Sequence, residues 1–169
     1  MAFPTIEDCI RFHGHMCGGV AIGYVMARFA MDQLGARLGD SLYCRTEFQN
    51  CMTDAVQCVT GCTIGKGNLE LYPIGKRALT LVRADTGEGV RVTADFKLPE
   101  GISKAESAAL ILAADPTQAC HAVSAKLIVP QKTHANFVVC AGCGEEFDQS
   151  YAQQTGEKYY CPDCVASNK

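Results

Sequence analysis

The spacing of apolar and polar residues changes period several times along the chain, and each change predicts an element. Thr5, followed by the acids Glu7 and Asp8, opens a short helix that ends at His13-Gly14. From about Cys17 to Leu34, apolar residues such as Val20, Ile22, Val25, Met26, Phe29 and Ala30 cover most of a helix circumference before Gly35 stops it. A helix apolar nearly all round is buried in a core or covered by a partner subunit. A strand is expected between Ser41 and Gln49, then a helix from Asn50 that Gly61 ends. Leu69 to Tyr72 reads as a short strand, and Ala78–Ala84 and Val90–Phe96 as a hairpin across Asp85-Thr86-Gly87-Glu88-Gly89. Ser103 and Glu106 make a capping-box pattern for a helix carrying Ala108 to Leu112, which stops before Pro116. A last small strand is expected over Lys126–Val129. Strands and helices are mixed and include a hairpin, so the expectation is α+β, a mixed or antiparallel sheet packed with helices, over a doubly wound fold.

From about Lys132 the composition changes, which divides the 169 residues into a core domain, 1–132, and a small C-terminal domain, 133–169. Apolar residues make up 48% of the chain, enough for a proper core. A formal charge of -3 provides no basic footprint for nucleic acid. The most apolar segment, Val20–Leu34, is short for a membrane span and contains Arg28 and Asp32. The start MAFPTIEDCIRF lacks the basic and apolar regions of a signal peptide, so the expected location is the cytoplasm. In such a reducing compartment, eleven cysteines point to metal or thiol chemistry instead of a disulfide scaffold.

Phe12-His13-Gly14-His15-Met16-Cys17-Gly18-Gly19 concentrates two imidazoles, a thiol and three glycines in eight residues. Neutral His and thiolate Cys suit zinc-like metals, and a Cys17 that opens a helix is poised as thiolate by the positive end of the helix dipole. The alternative is a tight turn with capping histidines. In the next helix, Cys51, Asp54 and Cys58 fall on one face at about 100° per residue, with Cys62 in the turn beyond. Cysteine is also a small hydrophobe, so this stripe has a core-face alternative. The predicted second site joins His13, His15 and Cys17 to Cys58 or Cys62 as ligands of a transition metal, zinc by its donor set. Cys17, Cys51, Asp54, Cys62 and Lys66 are the candidates for chemistry. The loop Thr63-Ile64-Gly65-Lys66-Gly67-Asn68 is not a Walker A motif, because its glycines are misplaced and Gly67 follows the lysine. It presents a cation that could meet substrate charge or sit solvated on the surface.

The most specific signal is Cys140-Ala141-Gly142-Cys143 and Cys161-Pro162-Asp163-Cys164, two C-x-x-C knuckles with seventeen residues between. Each knuckle bends the backbone so that both thiolates reach one tetrahedral zinc at ~2.3 Å. Glu146-Phe147 and Lys158-Tyr159-Tyr160 are expected to pair over a Thr155-Gly156 turn, giving a zinc-ribbon or treble-clef module. Few basic residues surround it, so it reads as structural or partner-binding.

Taken jointly, Phe12-His13-Gly14-His15-Met16-Cys17, Cys51-x-x-Asp54-Ala55-Val56-Gln57, Thr60-Gly61-Cys62-Thr63-Ile64-Gly65-Lys66-Gly67-Asn68 and the four-cysteine module resemble the FmdE family of formylmethanofuran dehydrogenase components. A proline usually follows the motif cysteine in that family, where this chain has Gly18. The resemblance implies an α+β core, a zinc-finger domain, an intertwined homodimer, and a metal pocket near His13, His15, Cys17, Cys51, Asp54 and Cys62. It also implies association with molybdenum or tungsten enzymes that reduce carbon dioxide onto methanofuran. Two functions follow as expectations. One is a metal- or thiol-dependent enzyme of one-carbon redox metabolism acting on a small molecule. The other is a non-catalytic accessory or metal-handling partner of a molybdenum or tungsten oxidoreductase.

Overall fold

The computed structural model describes residues 3–131 and 134–167. The expected domain boundary between residues 132 and 133 lies outside the described residues. The chain divides into two compact units, Met1–Pro130 and Gln131–Lys169.

The first unit is built on a central helix. Helix α1 (Ile6–His13) starts with the Thr5/Asp8 capping box and ends at Gly14, whose φ of 98° only glycine adopts readily. Helix α2 (Gly18–Leu34) follows, with Cys17 as its N-cap. As its all-round apolarity predicts, α2 buries Val20, Ala21, Val25, Met26, Ala27, Ala30 and Met31. It packs against α3 (Cys51–Thr60), α4 (Lys104–Ala113) and the strands β3 (Ala78–Arg83) and β4 (Glu88–Ala94). The α2–α3 crossing is close because of two glycines. A Cβ on Gly23 would lie 2.5 Å from the Met52 carbonyl oxygen, and one on Gly19 would lie 2.8 Å from Cys51 Cβ.

The sheet is mixed. Its order is β2 (Leu69–Leu71), β1 (Leu42–Thr46), β3, β4 and β5 (Cys120–Lys126), with only the β1–β2 pair parallel. Leu79, Leu81 and Val92 point into the core shared with α2 and α3. On the other face, Arg45 lies opposite Thr80, and Thr80 opposite Arg91. There Arg91 grips the buried Glu47 through two hydrogen bonds of 2.7 and 2.8 Å, and Arg45 donates to Glu70 at 2.8 Å. The fold class is α+β, as the hydrophobic pattern predicts.

Two strand expectations need correction. The last strand of the unit is Cys120–Lys126 instead of Lys126–Val129. Its alternation is weak because it is an edge strand of small and polar residues, and its identity comes from pairing with β4 from Ala94↔Cys120 to Glu88↔Lys126. A short helix, α5 (Pro116–Ala119), precedes it.

In the second unit, Glu146-Phe147 does not pair with Lys158–Tyr160. The knuckle at Cys140–Cys143 is itself the turn of a hairpin between β6 (Phe137–Val139) and β7 (Glu146–Asp148). A second hairpin joins β8 (Gln153–Thr155) to β9 (Lys158–Tyr160) across Gly156, and α6 (Pro162–Ala166) follows. Each strand thus pairs with its nearer neighbour, where the connecting loop closes at least entropic cost. The Tyr159 carbonyl ties the hairpins together by accepting from Ala141 N–H at 2.8 Å. Knuckle, hairpin and helix N-terminus together form a zinc-ribbon-like module.

Candidate metal centres

In the C-terminal module all four sulfurs of Cys140, Cys143, Cys161 and Cys164 lie within 4.8 Å of one another. The Cys143 and Cys161 sulfurs are 3.9 Å apart. Two sulfurs on a tetrahedral zinc at ~2.3 Å are separated by about 3.8 Å, so the thiols already stand near the edges of such a tetrahedron. Cys161 is the N-cap of α6 and Cys164 lies in its first turn, which brings the second knuckle's thiols to the positive end of that helix. Cys140 Sγ accepts from Cys161 N–H at 3.3 Å and from Gly142 N–H at 3.4 Å. The Cys161 N–H, with those of Cys143 and Gly142, brings the Cys140 thiol down to about 6. Burial, with the neighbouring thiols, pushes Cys164 up to about 12. The chemistry of the donor set fits a metal that deprotonates coordinated thiols outright.

The second centre is built where three segments meet. His13 ends α1, Cys17 caps α2 and Cys51 opens α3. One ligand atom from each of these residues lies within 4.8 Å of the others, and all three are half-buried. Gly14 lets the chain turn sharply between His13 and Cys17, and the missing Cβ of Gly19 lets Cys51 come close, since an added one would stand 2.8 Å from Cys51 Cβ. Asp54, one turn into α3, accepts from His13 Nδ1 at 2.7 Å. That bond assigns the proton to Nδ1 and leaves Nε2 as the lone-pair donor, 4.0 Å from Cys17 Sγ. A carboxylate behind a histidine is the usual support of a metal-bound imidazole. Cys17 Sγ also accepts from Val20 N–H at 3.5 Å. Burial and the adjacent Cys17 thiol raise the Cys51 thiol above its ordinary value.

The remaining predicted site residues are placed elsewhere. His15 is exposed, its ring 4.6 Å from that of His13, and it is not in the three-donor group. Cys58 turns to Cys9 on α1, and burial raises both thiols, Cys9 to about 12. Cys62 is fully buried near Cys44, and burial pushes it up to about 11. Lys66 caps the end of α3 by donating to the Gly61 carbonyl at 3.0 Å. Cys62 and Lys66 sit beyond the C-terminus of α3, whereas Cys51 is its first residue, and ten residues of helix span about 15 Å. Of the cysteines expected on that face, the structure brings Cys51 to Cys17, and Cys58 and Cys62 are not in the three-donor group. The pairing signal missed in the sequence lies on α1. Cys9 and His13 are four apart, so they face Cys58 and Asp54 in antiparallel order, which leaves Cys51 for Cys17.

An α+β core with a His-Cys-Cys centre and a separate four-thiol module defines a class of protein equipped to bind metal at two places. Residues 12–130 match the family model FmdE, described as "FmdE, Molybdenum formylmethanofuran dehydrogenase operon". The chain belongs to the FmdE family. The solved structure of a tungsten formylmethanofuran dehydrogenase FmdE-like protein from Syntrophus aciditrophicus superposes with a TM-score of 0.71 at 27% identity, covering 99% of this chain and 98% of that one. An alignment 88 positions long, covering 48% of this chain, is 45% identical to a probable S-adenosyl-L-methionine-binding protein of Archaeoglobus fulgidus. It spans 24% of that relative's length. Among the described residues, no helix is long and apolar enough to cross a membrane.

Proposed function

We propose that this FmdE-family chain is a metal-binding protein of one-carbon redox metabolism whose working centre is His13, Cys17 and Cys51. The observation that carries this reading is the His13–Asp54 bond of 2.7 Å behind a cluster of three donors within 4.8 Å. Three protein donors leave one tetrahedral position for water or substrate, the pattern of catalytic rather than structural zinc sites. A zinc-like ion held there supplies Lewis acidity and a water activated near neutral pH. Asp54 holds the His13 ring in one tautomer, and Cys17 and Cys51, at the N-termini of two helices, would hold the ion as its thiolate ligands. The half-buried setting limits access of bulk water. Residues from Gln131 onward form a zinc module that folds on its metal, with Cys140, Cys143, Cys161 and Cys164 as ligands.

The family and its tungsten-enzyme neighbour support a second reading, an accessory or metal-handling component of a molybdenum or tungsten oxidoreductase. A homodimer suits both readings, as does a reducing cytoplasm, since the cysteines are free.

Elemental analysis tests the central claim. The protein purified with zinc should hold two ions per chain. Cys17→Ser and Cys51→Ser should each hold one, and Cys140→Ser should lose the other. Unchanged metal content in Cys17→Ser and Cys51→Ser would remove the first centre and leave the accessory reading. Sedimentation as a stable monomer at micromolar concentration would remove the dimer.

A further inference from the structure

Within the first unit, away from His13, Cys17 and Cys51, a cleft of about 400 Å³ opens between α2 and the turn from α4 into α5. Its walls include Tyr24, Phe29, Leu112 and Pro116, and its polar groups include Arg28 and Asp32. Arg28 lies three turns along α2 from Cys17, roughly 16 Å at the helical rise. It is the anomaly of the first unit. Its Nε is buried, and among the described residues it has no hydrogen-bond partner. The guanidinium lies 4.2 Å over the Phe3 ring, a stacking that fixes its plane. Arg28 and Asp32 are one turn apart on α2, yet among the described residues neither forms an ion pair.

With Nε closed off, the guanidinium is left its two Nη groups, which bind a carboxylate end-on through two parallel hydrogen bonds. The stack on Phe3 fixes the plane in which that end is offered. Asp32 narrows the chemistry. A phosphate or dicarboxylate would bring its second negative charge against this acid, whereas a ligand with an ammonium beside its carboxylate satisfies both residues. The aromatic and aliphatic walls suit an apolar side chain.

We propose that this cleft binds a small molecule carrying an α-amino-acid head group, its carboxylate on Arg28, its ammonium on Asp32 and its apolar side chain against Phe29 and Leu112. The site needs neither metal centre.

Calorimetric titration of the full-length protein tests this with L-phenylalanine and L-methionine, and with 3-phenylpropionate and phenethylamine as probes lacking the ammonium or the carboxylate. Binding of at least one amino acid more tightly than either truncated probe is expected. Arg28→Gln should weaken that binding by ~10- to 100-fold, the scale of a lost hydrogen bond to a charged group. Arg28→Lys keeps the charge and the packed stem but loses the planar pair of donors, so it should also weaken binding. Asp32→Asn should weaken the amino acid while leaving 3-phenylpropionate unchanged or tighter. Four results overturn the proposal: no binding of either amino acid, equal binding of the truncated probes, Arg28→Lys and Arg28→Gln indistinguishable from wild type, or a sedimentation change in the Arg28 variants showing that a second copy of the chain fills the cleft.

Discussion

His13 shows how much a single contact decides. Its Nε2 faces Cys17 because its Nδ1 is engaged by Asp54 at 2.7 Å. Asp54→Asn should therefore keep the fold and weaken metal at the first centre by about 10- to 100-fold, the range for outer-shell supports. Competition with a chromogenic chelator would measure this. Glu47 is the second such residue. It is buried on the sheet face, and its hydrogen-bonded pair with Arg91 holds its carboxyl below the ordinary 4.5. A depressed carboxyl adds stability that is complete above its unfolded value and lost as pH falls through the folded one. The wild type should thus lose stability as pH drops below about 4.5. Glu47→Gln should remove this part of the pH slope and cost about 2–3 kcal/mol at neutral pH, measured by urea unfolding across that range.

At the scale of elements, the α2–α3 crossing positions the first centre. Cys17 and Cys51 belong to different helices, and only the close approach at Gly19 and Gly23 brings their sulfurs together. Gly23→Ala places a methyl against the Met52 backbone, which cannot rotate away as a side chain could. The expected cost is about 2–3 kcal/mol, the upper range for overpacking, together with weaker metal binding because Cys51 is displaced. Thermal melting with and without zinc would show both effects. A variant as stable and as metal-competent as wild type would mean that the two helices separate without consequence. The edge strand β5 carries little intrinsic preference, and its pairing with β4 makes it a strand.

Across the whole molecule, the two units divide the cysteines by task. Four thiols belong to the second unit, with closed-site spacing. Of the seven in the first unit, Cys9, Cys44, Cys62 and Cys120 are buried in the core and held protonated by burial. Metal removal should therefore affect the units differently. A strong chelator should unfold residues 131–169, which cannot build a core of their own, while the first unit keeps its cooperative melting transition. Hydrogen exchange on the chelated protein would resolve the two. Protection retained throughout the second unit would show that its fold does not depend on metal.

Much of this was legible from residue order alone, because it rests on local chemistry. Thr5, Ser103, Gly35 and Gly61 mark helix ends through backbone geometry and hydrogen bonds a few residues long. The all-round apolarity of α2 announces a buried helix, and the two C-x-x-C knuckles announce their own cluster because each pair is adjacent in the chain. Tertiary structure decided what depends on distant segments meeting. Helical periodicity places Cys51, Asp54 and Cys58 on one face but cannot say which of them α1 and the Cys17 turn will touch. The antiparallel lie of α1 on α3 makes that choice, giving Cys58 to Cys9, Asp54 to His13 and Cys51 to Cys17. Cys62 and Lys66 fall beyond the far end of α3 because a helix is a rigid spacer, about 1.5 Å per residue, that chain proximity does not shorten.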